Sequence, residues 1–420
     1  MTTLRPGSVR RRGDAPPARS FEGLAGGVLP AAVLSAAGGQ PSSRHTAGHR
    51  PSRGLQLLLA LVLGLPGIQA GPNARAEEPP NPGAQVPEGE NLAPLTCPPS
   101  PSCYVRLEAV ALLRHVQEDT TVASLGYLGL PGALIALKRN DLDDQFTGGS
   151  RLVVGHTFDD SRYQVEASYL WQAPWTATAS VSDLPSLLNG TVGNLFSPFT
   201  NFGSPPDTRV DYDNFVRIHE VSWFNSEEID LKGVIFSSED MAVKLLAGLR
   251  HVGISEQFDY YAQPTTLLAD PTKVDPTRTP NTVNARTLND LWGPQIGVIM
   301  QVTAARNAWV SLDIKGAICD NGASRDLDAT IAGTTYPQNR LWQAAAAYVG
   351  DVDVSAFWQP TDGLSVRIGY QLLFIDGLVL ACENFNPDLA ALTGQTAMPP
   401  QDRRGKVLYQ GPHLGLELRW

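Results

Sequence analysis

Few residues in this 420-residue chain are spaced for catalysis or metal binding. Asp141, Asp143 and Asp144, with Asn140, form an acidic run whose oxygens could hold a hard cation such as calcium. Their order is not that of an EF-hand loop, and a solvated loop accounts for them. His219-Glu220 lacks the second histidine of a zinc hydrolase helix. No G-x-S-x-G elbow and no Gly-Lys-Ser/Thr phosphate loop occurs. The four cysteines, Cys97, Cys103, Cys319 and Cys382, form no C-x-x-C pair and have no accompanying His-x-x-x-His pattern, which argues against a metal site. An even count in an exported chain permits two disulfides, read here as Cys97–Cys103 and Cys319–Cys382 among three pairings. No catalytic residue, cofactor or metal is assigned, and the chain reads as a non-enzyme. Serine, histidine and acid brought together from separate strands, as in a hydrolase, remains an alternative.

Most charged residues fall instead at every second position of apolar stretches. Leu364, Val366, Ile368, Tyr370, Leu372 and Phe374 share one face, against Ser365, Arg367, Gly369 and Gln371 on the other. Val310, Leu312 and Ile314 oppose Ser311, Asp313 and Lys315. Tyr163, Val165, Ala167, Tyr169 and Trp171 oppose Arg162, Gln164, Glu166 and Ser168. Leu245, Ala247 and Leu249 oppose Lys244, Gly248 and Arg250, and Leu414, Leu416, Leu418 and Trp420 oppose Glu417 and Arg419. A period of two is the mark of strands with two unlike faces. It predicts ten strands, at roughly 103–116, 148–158, 161–172, 213–225, 240–252, 287–303, 307–319, 345–359, 361–376 and 405–420. The connections alternate between short turns (near Asp159-Asp160, Ala304-Ala305-Arg306 and Pro360-Thr361-Asp362-Gly363, with a medium link at 226–239) and long segments at 117–147, 173–212, 253–286, 320–344 and 377–404.

Ahead of these strands the chain is organised for export. Residues 1–76 hold an Arg-rich start, an apolar run from Leu55 to Ile68 of signal-peptide size, and a small-residue cleavage pattern at Ala74-Arg75-Ala76. Residues 77–102 form a Pro-rich periplasmic linker that cannot bury a core, and 103–420 the folded domain. Nine of the 32 Lys and Arg, and two of the 42 Asp and Glu, lie in the leader, so the remainder carries 23 basic and 40 acidic side chains. That balance, near −17, excludes nucleic acid as a partner, which needs a basic face.

No apolar stretch of the domain reaches transmembrane-helix length, and only helices and closed barrels satisfy a backbone in hydrocarbon. The expected fold is therefore an all-β, antiparallel transmembrane barrel of about 10–12 strands in the cell outer membrane, with short periplasmic turns and long outer loops. The polar faces would line the lumen, with Arg106, Glu108, Arg162, Glu166, Lys244, Arg250, Asp313, Lys315, Arg367 and Glu417 as candidates. Mixed charges in a narrow ten-stranded interior would pair, giving a largely filled lumen or a small pore. Aromatic girdles would comprise Tyr104, Tyr163, Trp223, Trp309, Trp358 and Trp420, with Phe158, at the lower rim, and Trp171 and Trp292, with Phe374, at the upper. The terminal aromatic Trp420 on an alternating strand is similar to the C-terminal signal read by the barrel assembly machinery. Outer-membrane lipid is the other expected partner, with small solutes open. A soluble cell-surface β-sandwich that binds a ligand is the second alternative.

Several short stretches carry a family resemblance. They are Tyr104-Val105-Arg106-Leu107-Glu108-Ala109; Gly149-Ser150-Arg151-Leu152-Val153-Val154-Gly155; Leu245-Leu246-Ala247-Gly248-Leu249-Arg250-His251-Val252 with Glu256-Gln257-Phe258; Asn289-Asp290-Leu291-Trp292-Gly293-Pro294-Gln295-Ile296-Gly297; Ile314-Lys315-Gly316-Ala317; and Arg367-Ile368-Gly369-Tyr370. Over roughly 103–385 the chain resembles the putative beta-barrel porin family of planctomycete outer-membrane proteins, whose members have no settled function. The resemblance implies a porin-like small channel or structural membrane protein and no catalytic residue.

Overall fold

The computed structural model describes residues 102–128, 134–158, 162–183, 194–264, 278–337 and 340–420. The expected leader, the linker to residue 101 and Cys97 lie outside them. The strands are β1 (Ser102–Val116), β2 (Thr121–Leu125), β3 (Leu134–Lys138), β4 (Phe146–Thr157), β5 (Tyr163–Ser182), β6 (Leu195–Phe196), β7 (Asp213–Ser237), β8 (Met241–Pro264), β9 (Asn281–Ala305), β10 (Ala308–Ile331), β11 (Thr334–Pro337), β12 (Leu341–Thr361), β13 (Leu364–Leu378) and β14 (Gly405–Arg419).

Ten of them close a ring. In the order β1, β4, β5, β7, β8, β9, β10, β12, β13, β14 each pairs antiparallel with the next, and β14 returns to β1 from Tyr104↔Arg419 to Val116↔Val407. Main-chain bonds between Cys103 and Trp420, 2.9 and 3.0 Å, seal the seam. In the half near the short turns closure leaves the ring without an unpaired edge, the condition for spanning hydrocarbon. β2, β3, β6 and β11 lie outside the ring, within the long connections.

The expected link at 226–239 is strand instead. β7 continues to Ser237, and Glu228-Ile229-Asp230-Leu231-Lys232 alternates inward charge with outward Ile229 and Leu231. Strands β7 to β10 are 24 or 25 residues long, about twice the roughly 9–11 needed to cross a bilayer.

Along each of these tall strands the apolar face changes sides. On β10 the outward residues begin with Val310, Ile314 and Ile318, the last 64% exposed, and continue with Asp320, Asp326 and Asp328. The inward residues begin with Ser311, Asp313 and Lys315 and continue with Ala323, Leu327 (1% exposed), Ala329 and Ile331. The half near the short turns therefore meets lipid outside and carries charge inside. The other half meets water outside and encloses an apolar core.

Candidate functional site: a charged lumen beneath an apolar plug

In the short-turn half the inward charges lace the walls together. Glu108 on β1 is reached by Arg106 Nε at 2.7 Å, by Arg151 Nη1 at 2.9 Å and by Arg367 from β13. Arg367 also bonds Asp353 at 2.7 Å, and His413 Nε2 lies 2.8 Å from the same carboxylate. From Arg151 the network passes to Gln371, which donates to Asp351 at 2.9 Å. Asp351 accepts from Arg250 at 3.2 Å, and Arg250 lies 3.4 Å from Glu228. Glu228 in turn holds Lys315 at 2.6 Å. Nearer the short turns Glu166 accepts from Lys232 at 2.7 Å and from the Tyr104 hydroxyl at 2.5 Å. Buried charges persist where a partner offsets their desolvation, and several of these bridges, such as Arg367–Glu108 and Lys315–Glu228, join strands distant in sequence. A cavity of ≈ 900 Å³, part of it continuous with solvent, is lined by seven Lys and Arg and six Asp and Glu, so neither sign dominates it.

Of the lumen candidates, Arg106, Glu108, Glu166, Lys244, Arg250, Asp313, Lys315, Arg367 and Glu417 face this interior. Arg162 does not: it lies exposed in the turn before β5, where its carbonyl accepts from Val234 N. Residues that sequence reasoning left out include Arg151, Glu228, Asp230, Lys232 and His413. Their signal was present as polar positions alternating with Leu152, Ile229, Leu231 and Leu414.

The aromatic candidates divide. Tyr163, Trp358 (53% exposed) and Trp420 (69%) face outward at the short-turn end, with Phe158. Trp171 and Trp292 face outward higher up, joined by Trp342. Tyr104 is a correction: it is 2% exposed and turned into the lumen. Gly155 on β4 makes this possible, since a Cβ there would strike the Tyr104 ring. Trp309 also turns inward and stacks on Phe357 at 5.0 Å. Trp223 lies well above the lower rim, because β7 runs on to Ser237.

The upper half is filled by the segment between β13 and β14. Phe385 is fully buried, with its ring 4.7 Å from Phe258, 5.9 Å from Tyr260 and 6.1 Å from Phe199. Val379, Leu380, Ala381 and Cys382 are fully buried too. Backbone groups taken into such a place need partners. Asn289 supplies two to Val379, Asn321 donates to Gly377 O at 3.0 Å, and Glu256 accepts from Ala381 N at 3.0 Å. Arg325 Nη2 donates to Pro399 O at 2.9 Å, and Gln401 donates to Leu341 O at 2.8 Å.

The expected Cys319–Cys382 disulfide is not formed; both are buried free thiols. Cys319 sits mid-strand on β10 instead of at a strand end. Cys103 is also free, 3.3 Å from His156 Nδ1, and its expected partner Cys97 lies outside the described residues. The acidic run is engaged locally: Asp141 accepts from Lys138 N at 2.7 Å, and Asp144 meets His115 at 3.1 Å and Arg139 at 3.5 Å. Glu220 of the His-Glu pair is buried between Arg114 and Arg139, 3.1 Å from each.

The chain is similar to several solved outer-membrane proteins. The outer membrane protease OmpT from Escherichia coli shares 11% identity over 79% of this chain and 100% of its own, with a TM-score of 0.44. A Pseudomonas aeruginosa FadL homologue shares 10% over 76% and 90% (TM-score 0.23). A major outer membrane protein from Thermus thermophilus shares 11% over 76% and 99% (TM-score 0.25). No curated protein matches the chain. The family described as Putative beta barrel porin-7 matches residues 107–335, more than half of the chain. Together with the closed ring, the outward apolar belt and the charged interior, this match shows that the chain belongs to the Putative beta barrel porin-7 family and is a β-barrel protein of the outer membrane.

Proposed function

We propose that the protein is a porin-like barrel without catalysis, closed at rest, that passes small solutes when the segment between β13 and β14 leaves the upper half. The observation that carries this reading is the seating of that segment: Phe385 at the centre of an aromatic cluster, with Val379 bonded through both its main-chain groups to Asn289. A seat with so many satisfied polar groups and so much apolar contact holds a plug, not a passing loop. The charges below it support a non-catalytic reading, because the lumen's acids and bases are bound to one another instead of being poised beside a nucleophile. A balanced lining suits small polar solutes of either sign. A structural barrel that never opens is the second reading, favoured by the cross-lumen bridges from Glu108 to Glu228.

Planar-bilayer recording tests the choice. The full chain is compared with a variant in which residues 384–402 are replaced by a short Gly-Ser link. A silent full chain and a conducting variant support the proposal. A variant as silent as the full chain points to the structural barrel, and a full chain conducting steadily overturns closure.

A further inference from the structure

One interval of the barrel wall lacks a strand. β4 begins at Phe146, opposite Leu113, and its pairing with β5 ends at Gly149↔Gln172. β5 goes on to Ser182, paired from Trp175 upward with β7. Above Phe146, then, nothing of β4 stands between β1 and β5, and the chain from Arg139 to Gln145 lies beside the gap instead. A cleft of ≈ 680 Å³, part of it open to solvent, occupies this place, apart from the charged lumen described above.

Its walls differ in chemistry. One side is apolar, made by Pro174 and Trp175 of β5 and by Leu142, and Trp175 is pinned by donating Nε1–H to Leu112 O at 3.1 Å. The floor is the buried set Arg114, Glu220 and Arg139, in which Glu220 lies 3.1 Å from each guanidinium. Glu256 is a further partner of Arg114, so the floor's two guanidiniums are matched by two carboxylates, with Arg114 Nε the buried donor left without a hydrogen-bond partner. At the rim Asp144 is engaged by His115 and Arg139. Asp143 beside it is exposed and has no hydrogen bond or ion pair among the described residues.

We propose that this cleft binds a small organic cation with an apolar body, its ammonium on Asp143 and its body against Trp175, Pro174 and Leu142. A pocket of apolar wall with a few placed polar groups is the usual form of a small-ligand site. The unspent charge at its mouth is negative, and that fixes the sign of the ligand. The ion-paired floor disfavours a second charge inside, so a monocation fits better than a dication or a zwitterion. The inference stands whether or not the barrel conducts.

The test is isothermal titration of the detergent-solubilised full chain with two probes of one shape and opposite charge, phenethylamine and 3-phenylpropionate. Saturable one-to-one binding of the amine, at least about 10-fold tighter than the acid and weakened by salt, is expected. Asp143→Asn, an exposed change that spares the fold, should remove at least about 10-fold of the amine's affinity, whereas Asp362→Asn in the far turn should remove none. No saturable binding, equal binding of both probes, or an unaffected Asp143→Asn would overturn the proposal.

Discussion

Asn289 grips Val379 by both ends of its amide: Nδ2 donates to the Val379 carbonyl at 2.9 Å, and Oδ1 accepts from the Val379 N–H at 2.8 Å. A side chain on β9 thus pairs with the inserted segment as a neighbouring strand would. Asn321 on β10 steadies the grip by donating to Asn289 Oδ1 at 3.0 Å. The relationship ties the tall side of the barrel to its plug. Asn289→Ala removes three buried bonds, two of them to the plug, and should loosen the plug by about 1–3 kcal/mol. Faster trypsin cleavage at Arg403 and Arg404, with the barrel otherwise intact, is the expected outcome. Unchanged cleavage would mean that the apolar contacts around Phe385 suffice alone.

Glu108 is the common anion for Arg106, Arg151 and Arg367. Glu108→Ala leaves three cations facing one another in a narrow lumen. Removing one partner of a buried pair costs about 3–5 kcal/mol. The temperature at which the compact form is lost on a detergent gel should fall clearly. Adding Arg367→Met should cost less than the sum of the two single changes, since the two residues share one network.

The plug should respond to pH through Glu383. Both its carboxyl oxygens are buried without a hydrogen-bond partner. Burial first, then the charges of Glu118, Glu256 and Asp402, raise its pKa to about 8, against the opposing pull of Arg404. A raised carboxyl pKa means that the seated form holds its proton more tightly than the released form. Seating is therefore firmest below the ordinary value near 4.5, weakens as pH climbs from there to about 8, and levels off beyond. Maleimide labelling of buried Cys382 should be faster in the parent than in Glu383→Gln at pH 8.5, and alike in the two at pH 5. Comparison at equal pH cancels the thiol's own titration. Equal rates at both pH values would contradict the role.

Cys319 and Cys382 should both be recovered as thiols. Brief alkylation at pH 5, where the plug is seated most firmly, is expected to reach neither in the folded barrel, and alkylation after unfolding without reductant to reach both. A peptide joining them in a non-reducing digest would restore the disulfide expected from sequence.

Nine of the ten ring strands were legible because lipid on one side and charge on the other impose an alternation of two; of β7 only the upper part, 213–225, was read as strand, and its lipid-facing half was taken for a link. The upper ends of the other tall strands were not. Beyond Ile318 the apolar residues move from the outer to the inner face, so the alternation changes phase and the strand reads as ended near 319 instead of Ile331. The same change hid the top of β8, where Ile254, Phe258 and Tyr260 point inward, and turned much of the expected loop at 253–286 into strand. The lumen charges were readable where the phase held, as at Asp313 and Lys315. Tyr104 and Trp309 were misplaced because an aromatic near a strand end fits a girdle or a lumen mouth equally well. Only the partners, Gly155 and Phe357, decide between them. The plug left no periodic trace, since its seat is made by side chains of other strands.

Heat modifiability of the mature protein from isolated outer membranes tests the central claim, a closed ten-stranded membrane barrel, most directly. A compact band that runs fast unboiled and slows on boiling, with the protein extracted only by detergent, is the expected result. Extraction in plain buffer with no shift in mobility would contradict it.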